Sequence, residues 1–514
     1  MCSQITTVRS ALEEKVLPKL RSLESTFQPI NRLPNDILIT IPRFFKNEHR
    51  EREKFPMNNP LVTMTRVCRS WRNLLLSTPS LWTQIEFSTS KFKQAECFLR
   101  RSEKQFLDVH LFFQRVDNVD PFLSATLGNL YRLRRLEMRS YIYGLDRALV
   151  RFKRPAPELE HLEIVNDIDF TQGYTELPST IFGGRLPKLT SLSLHDFHTD
   201  FRNFNFPSLT WFSFTPGTRT TILNLTSFLE RCPLLEFIQI CRFFRSEPPT
   251  ASRKRVQLAV LKELRLDLTT PASSLLDHLT LPKCTEMLLT GQFTGKEFDE
   301  RGAPVPRIHP SSIDHFPAMR GITKAVAMPS SCILSGSNGN LRFWCFKRSR
   351  DNFDAEFFTS FAPISVSGIK ELWVGATTES YSSRRPWKQT ATGVRSAFKA
   401  LTKVEDLTIV SCETEPIFAA LDVGVGNTIL LPRLRRIAIY VGCGDLDVLA
   451  LIQSAKARKE HSQPLGEVVI VFENEPVAGV VRELGPLREL VEELNYRVGV
   501  TPVMRQWESQ DRWY

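Results

Sequence analysis

PKLTSLSLH, Pro187–His195, carries leucines at the first, fourth and sixth places of an L-x-x-L-x-L pattern counted from Leu189. The pattern recurs as LRRLEM from Leu133, LEHLEI from Leu159, LTWFSF from Leu209, LEFIQI from Leu235 and LKELRL from Leu261. Weaker copies are CTEMLL from Cys284, IKELWV from Ile369, VEDLTI from Val404 and LRRIAI from Leu434. A strand alternates faces with period two, so the fourth and sixth places of each copy share one face and the third, fifth and seventh the other. One strand cannot bury its own apolar face, but copies set side by side bury one another's. Pro157, Pro187, Pro207, Pro233 and Pro432 each stand two residues before the first apolar place of a copy. Proline there ends the preceding segment and biases its neighbour toward extended backbone, which fixes where the strand starts.

The copies are spaced about 20 to 35 residues apart, at or just above the period of leucine-rich repeats, which they resemble. The resemblance implies an α/β fold: an irregular solenoid over residues 88–499, with a curved parallel sheet and with helices and loops outside. Phe92, Ala95, Phe98 and Leu99 predict a helix that leads into the repeats, and LDVHLFF from Leu107 predicts a first strand. SCILSGSNGNLRFWCFK, Ser331–Lys347, predicts a β-hairpin about Asn338-Gly339, a dipeptide suited to the positive φ of a tight turn. It marks residues 291–367 as an irregular insert. Val480–Leu494 predicts an amphipathic helix capping the last repeat, and residues 500–514 form a tail.

Upstream, INRLPNDILITIPRFF (Ile30–Phe45) and NNPLVTMTRVCRSWRNLLLSTPSLWTQI (Asn58–Ile85) put more apolar surface on short helices than they can bury among themselves. Pro34 suits a first helical turn, with Ile37, Leu38 and Ile41 following at helical spacing. Pro42 should end or kink that helix, and KNEHREREK, Lys46–Lys54, predicts an exposed charged linker. Asn59 and Pro60 open a second predicted helix, on which Leu61, Met64, Cys68, Trp71 and Leu75 form one continuous stripe, Cys68 as a packing residue; Ser77-Thr78-Pro79 ends it. Residues 1–28 predict a helical segment interrupted at Pro18.

Leu33-Pro34, then Val67-Cys68-Arg69 with Trp71, then Thr78-Pro79-Ser80-Leu81-Trp82 resemble, in this order and spacing, the F-box-like module of large fungal families, here residues 29–87. The resemblance implies docking on the S-phase-kinase-associated (Skp) adaptor and, through it, on a cullin and a RING subunit, while the repeats hold a protein target for ubiquitin transfer. It assigns adaptor contact to Leu33, Pro34, Ile37, Leu38, Val67, Cys68 and Trp71, and packing of the module onto the first repeat to Leu81 and Trp82. On the outward places of the repeats, Arg135, Trp211, Arg265, Trp373 and Tyr440 are the side-chain types that dominate interfaces and are the candidate target contacts. The alternative is a leucine-rich-repeat scaffold with no ligase role.

Composition and chemistry fit a non-catalytic receptor. The 514 residues are 42% apolar, no run approaches a membrane span, and Met1–Lys15 lacks the apolar core of a signal peptide, so a cytoplasmic or nuclear protein is expected. Ten cysteines stand without a C-x-x-C pair, which signals neither a zinc site nor a disulfide framework, and no cofactor is called for. The net charge of +11 is spread over short, distant basic clusters, which argues against nucleic acid as a partner. Gly442-Cys443-Gly444 has Asp447 where a dinucleotide loop needs its third glycine, and reads as a strand-to-helix turn. His195-Asp196 and His198 carry no metal-ligand spacing and read as loop or outward residues. A ligase acting alone would need a RING-type zinc array or a catalytic cysteine domain, and neither pattern occurs.

Overall fold

The computed structural model describes residues 9–10, 12–16, 29–51, 60–88, 92–113, 119–141, 145–166, 175–216, 220–241, 255–267, 275–291, 312–328, 331–345, 364, 366–375, 391–410, 414–422, 429–441, 446–473, 475–476 and 478–499. The chain divides into two compact units, Met1–Gln172 with Thr180–Leu189, and Gly173–Ser179 with Thr190–Tyr514.

The first unit opens with helices α1 (Asn35–Glu51), α2 (Pro60–Met64) and α3 (Arg69–Leu76), packed on one another. Then come β1 (Gln84–Phe87), α4 (Phe92–Arg101), β2 (Leu107–Phe113), α5 (Val119–Leu127), β3 (Leu133–Ser140), α6 (Leu145–Leu149) and β4 (His161–Asn166). β1 to β4 form a parallel ladder in chain order, with Ile85 beside Val109, Val109 beside Leu136 and Leu136 beside Leu162. All four side chains are buried. The stripe Phe92–Leu99 is α4, ending at Arg101, and LDVHLFF is β2.

In the second unit β5 (Thr175–Glu176) pairs with β6 (Ser191–His198), followed by β7 (Trp211–Pro216), α7 (Ile222–Glu230) and β8 (Phe237–Ile240). β9 (Val256–Gln257) pairs with β11 (Leu279–Thr280) in a separate two-stranded sheet. β10 (Glu263–Asp267), β12 (Glu286–Gly291), β13 (Ile322–Met328), β14 (Ser331–Gly336), β15 (Gly339–Cys345) and β16 (Glu371–Gly375) come next. α8 (Ala391–Lys399), β17 (Asp406–Val410), α9 (Glu415–Leu421), β18 (Arg436–Val441), α10 (Val448–Glu460), β19 (Leu465–Phe472), α11 (Ala478–Glu483) and β20 (Val491–Val498) complete it. The ladder runs β6–β7–β8–β10–β12–β15–β14–β13–β16–β17–β18–β19–β20 and is parallel except at β14. Helices α8, α9 and α10 pack side by side. A long, mostly parallel sheet with helices is compatible with a solenoid-like repeat.

Every copy of the L-x-x-L-x-L pattern coincides with a strand, and its fourth and sixth places are buried, from Leu136 and Met138 to Ile437 and Ile439. Behind β6 and β7 the core is aromatic: Phe201 stacks on Phe228 at 4.5 Å and meets Phe214 edge-on at 5.1 Å. Burying six phenylalanines here, Phe201, Phe204, Phe206, Phe212, Phe214 and Phe228, supplies a large apolar area together with the edge and offset geometries that aromatic pairs prefer. Arg458 is fully buried and donates from Nη1 to the Leu430 carbonyl at 3.0 Å and from Nη2 to those of Leu431 and Leu434, at 3.0 and 3.4 Å. Burial pushes its pKa down to about 10, so it stays charged at neutral pH while its guanidinium bonds these three carbonyls.

Five expectations change. α1 continues through Pro42 to Glu51, taking in part of the charged run; the Pro42 ring is buried, and packing outweighs the lost backbone bond. The predicted second helix is broken: Thr65–Val67 form a turn, and Cys68, with φ −155°, is the N-cap of α3. The hairpin of β14 and β15 turns on Ser337-Asn338, one residue earlier than expected, with positive φ only at Gly339. The insert keeps the ladder continuous, because β15 joins β12 in parallel and β13 joins β16 in parallel, with β14 reversed between them. Val480–Leu494 is the end of a short α-helix, a 3-10 helix over Gly485–Glu489 and the start of β20; from Val491 the backbone partners offered by β19 override helical periodicity. Leu12–Val16 are helical in the N-terminal segment, while Pro18, Gly442-Cys443-Gly444 and residues 500–514 lie outside the described residues.

Candidate protein-docking surfaces

The helical module is closed by its last turn. Trp82 is fully buried, its Nε1 donates to the Leu75 carbonyl at 2.9 Å, and its ring meets Phe98 of α4 edge-on at 4.8 Å. Arg101 of α4 lies over the same ring at 4.5 Å. Leu81 is buried beside it, so Pro79-Ser80-Leu81-Trp82 ties α3 to α4. Inside the module lie Leu38, Leu61, Trp71 and Leu75. Cys68 Sγ accepts from the Trp71 backbone N–H at 3.5 Å, capping α3 in the place a serine or threonine often takes.

Other apolar side chains of the module stay in solvent. Ile30 is 46% exposed, Leu33 40%, Ile37 46%, Phe44 66% and Val67 61%. Of the residues assigned to adaptor contact, Leu33, Pro34, Ile37 and Val67 are therefore exposed, Cys68 is intermediate, and Leu38 and Trp71 are interior. Ile30 and Phe44 were not assigned. The signal was legible, since Ile30, Leu33, Ile37, Ile41 and Phe44 step by three and four, but it was cut at Pro42, where the helix in fact continues.

Residues 30–88 match the F-box-like family model. They form an F-box-like domain. No curated protein matches the chain as a relative. The F-box-like domain implies binding to a Skp-type adaptor, and F-box proteins are generally non-catalytic adaptors.

The outward places of the strands form a second surface, described unit by unit. In the first unit His110 Nδ1 lies 2.7 Å from Glu137 Oε2, and Arg139 reaches both Glu137 and Glu163, at 3.9 and 3.8 Å. Burial pushes the Glu137 carboxyl up, but the hydrogen bond and charge of His110 with Arg139 and Arg135 outweigh it and hold it below its ordinary 4.5. Burial and the neighbouring Glu137 hold Glu163 above 4.5 despite Arg139. Arg135 lies on this face, half-buried.

In the second unit the candidate target residues are also half-buried and engaged by neighbouring strands. Trp211 stacks on Phe237 at 5.2 Å with the rings nearly parallel, and Arg265 sits over Phe237 at 5.3 Å while bonding Glu263 at 2.6 Å. Trp373 packs on Val326 and Ile333, donates to Glu371 Oε1 at 2.5 Å, and lies under Lys324. Tyr440 packs on Ala438, Val469 and Val471. Strand register also aligns Glu263 with Glu286, and Glu371 with Asp406, Arg436, Glu467 and Glu493. Burial raises the Asp406 pKa, and Glu371, Glu405 and Glu467 add to it against Arg436.

The histidines of His195-Asp196 and His198 lie on β6; His195 bonds the Ser193 hydroxyl at 2.9 Å and the Thr215 hydroxyl at 3.2 Å. Asp447, at the place of the missing glycine, is the N-cap of α10, accepting from Ala450 N–H at 2.9 Å. Among the described residues no group of three or more His, Cys, Asp or Glu could hold a metal ion, and no helix is long and apolar enough to cross a membrane.

Proposed function

We propose that this chain is the substrate receptor of a cullin–RING ubiquitin ligase of the SCF type. The F-box-like domain docks on a Skp adaptor, which connects to the cullin and RING subunits, and the downstream repeats, read as leucine-rich repeats, hold a protein target. A cytoplasmic or nuclear location goes with this role. The observation that carries it is the union of the F-box-like match over residues 30–88 with five large apolar side chains left in solvent in that same module. Ile37 and Val67 are the central adaptor contacts in this reading, with Leu33, Pro34, Ile30 and Phe44 around them; Leu38 and Trp71 support the surface from inside. Arg135, Trp211, Arg265, Trp373 and Tyr440 remain the candidate target contacts.

The test is affinity purification of the full chain and of the double variant Ile37→Asp with Val67→Asp. Both residues are exposed, so the variant should keep its circular dichroism and thermal midpoint. Charges placed in an apolar docking surface should weaken adaptor recovery by at least about tenfold. Adaptor and cullin should co-purify with the wild type and be lost from the variant. Their absence from the wild type, or undiminished recovery with the folded variant, would remove the receptor reading in favour of a scaffold.

A further inference from the structure

β20 ends the ladder of the second unit. Among the described residues it pairs with β19 alone, and Glu492, Glu493, Asn495, Tyr496, Arg497 and Val498 are all exposed. The direction of its backbone groups follows from one bond: Gly499 N–H donates to the Phe472 carbonyl of β19 at 3.0 Å. Backbone groups of successive strand residues point to opposite edges, so the odd-numbered residues face β19. The N–H and C=O groups of Glu492, Leu494, Tyr496 and Val498 therefore point to the open edge, a ready template for another strand.

An antiparallel partner must set edge-facing residues opposite edge-facing residues. A second copy of this strand, turned about a two-fold axis through Asn495, meets that condition. Leu494 then faces the partner's Tyr496, Glu492 the partner's Val498, and Asn495 its own counterpart. Glu493 faces the partner's Arg497, and the same pair forms again across the axis. Glu493, Asn495 and Arg497 share one face, being in register with Glu467, Val469 and Val471 of β19. Moving the axis to Leu494 or Tyr496 sets Glu493 against Asn495, or Asn495 against Arg497, and loses both opposite-charge pairs. Arg497 forms no ion pair among the described residues, and Glu493 accepts a hydrogen bond from Asn495 of its own strand at 2.8 Å. Charged edge residues commonly guard a strand against indiscriminate pairing. Here their order makes one register, with a second copy of the chain, complementary.

We infer that β20 is a homodimerisation edge, on which two copies of this chain pair antiparallel about Asn495 with reciprocal Glu493–Arg497 contacts. The inference does not depend on adaptor binding. Sedimentation of the full chain over a micromolar concentration series should show a monomer–dimer equilibrium. Arg497→Glu sets like charges opposite one another at both sites and should weaken the dimer at least tenfold, as should Glu493→Arg; the double exchange should restore it. Asn495→Cys should give a disulfide-linked dimer under oxidising conditions, because facing residues of a non-hydrogen-bonded antiparallel pair lie about 4.5 Å apart at Cα, within disulfide reach. Val498→Cys should not crosslink, since it faces Glu492. A wild type that stays monomeric across the series, a dimer indifferent to either single reversal, or equal crosslinking by both cysteine variants would overturn the assignment.

Discussion

The F-box-like domain and the strand ladder treat apolar side chains in opposite ways. Ile30, Leu33, Ile37, Phe44 and Val67 are at least 40% exposed, whereas the fourth and sixth places of every repeat copy are buried. A repeat completes its core with the next copy in the same chain, as Leu264 does between Ile238 and Met287. The helical module leaves these five apolar side chains largely exposed among the described residues, and the proposed adaptor docking rests on that surface.

The largest effect that would test this contrast is Phe212→Ala. Its side chain is fully buried in the aromatic cluster of the second unit, and truncation should cost about 3–5 kcal/mol. Val67→Ala should change stability by less than about 0.5 kcal/mol, because the side chain is mostly in solvent. Urea unfolding of both variants decides the point; equal losses would mean that the module's outer face is structural after all.

Gly339→Ala should give an intermediate loss. Its φ of +137° disfavours any side chain, and an added Cβ would clash with the Thr285 carbonyl oxygen, so the hairpin would have to move off the segment that leads into β12. A cost of about 1–3 kcal/mol is expected. Thermal denaturation would show it, and a neutral variant would mean that the antiparallel insertion is not fixed by this close approach.

The smallest effects sharpen the electrostatics of the first unit's outward face. Glu137 is held below 4.5 in the folded chain, so it adds stability at neutral pH that is lost as pH falls through its folded value. Glu163 is held above 4.5, so its favourable contribution exists only in acid and is lost as pH rises through its folded value. Glu137→Gln should therefore lower the thermal midpoint at pH 7, Glu163→Gln should raise it, and both differences should shrink as pH falls through the folded values. Solvent screening limits each to about 0.5 kcal/mol. Shifts of the same sign at pH 7 would show that the two carboxyls do not divide as described.

Much of the ladder was legible because leucine spacing reports directly on a period-two strand that must bury one face: LTSLSL and LTWFSF became β6 and β7 with their predicted faces inward. Other strands went unread, among them β13 and β20; ITKAVAM and VEELNYRV carry few leucines and become strands because backbone partners lie beside them. In the module, the order of Leu33-Pro34, Trp71 and Pro79–Trp82 carried the F-box-like resemblance, and residues 30–88 match that family. Sequence could not separate Leu38 and Trp71, which are interior, from Ile37 and Val67, which are exposed, because apolar character alone does not say which side of a short element faces the module's core.

The sequence by itself determined where the strands begin and which of their side chains face inward, because proline and leucine spacing act over a few neighbouring residues. Tertiary structure decided the rest: that α1 passes through Pro42, that Cys68 caps a helix instead of lining one, that β14 runs against its neighbours, and that Val491–Val498 is a strand, paired among the described residues with β19 alone. The strand cases turn on backbone partners supplied by other strands, whose hydrogen bonds outweigh local preference by amounts that no short window of sequence contains.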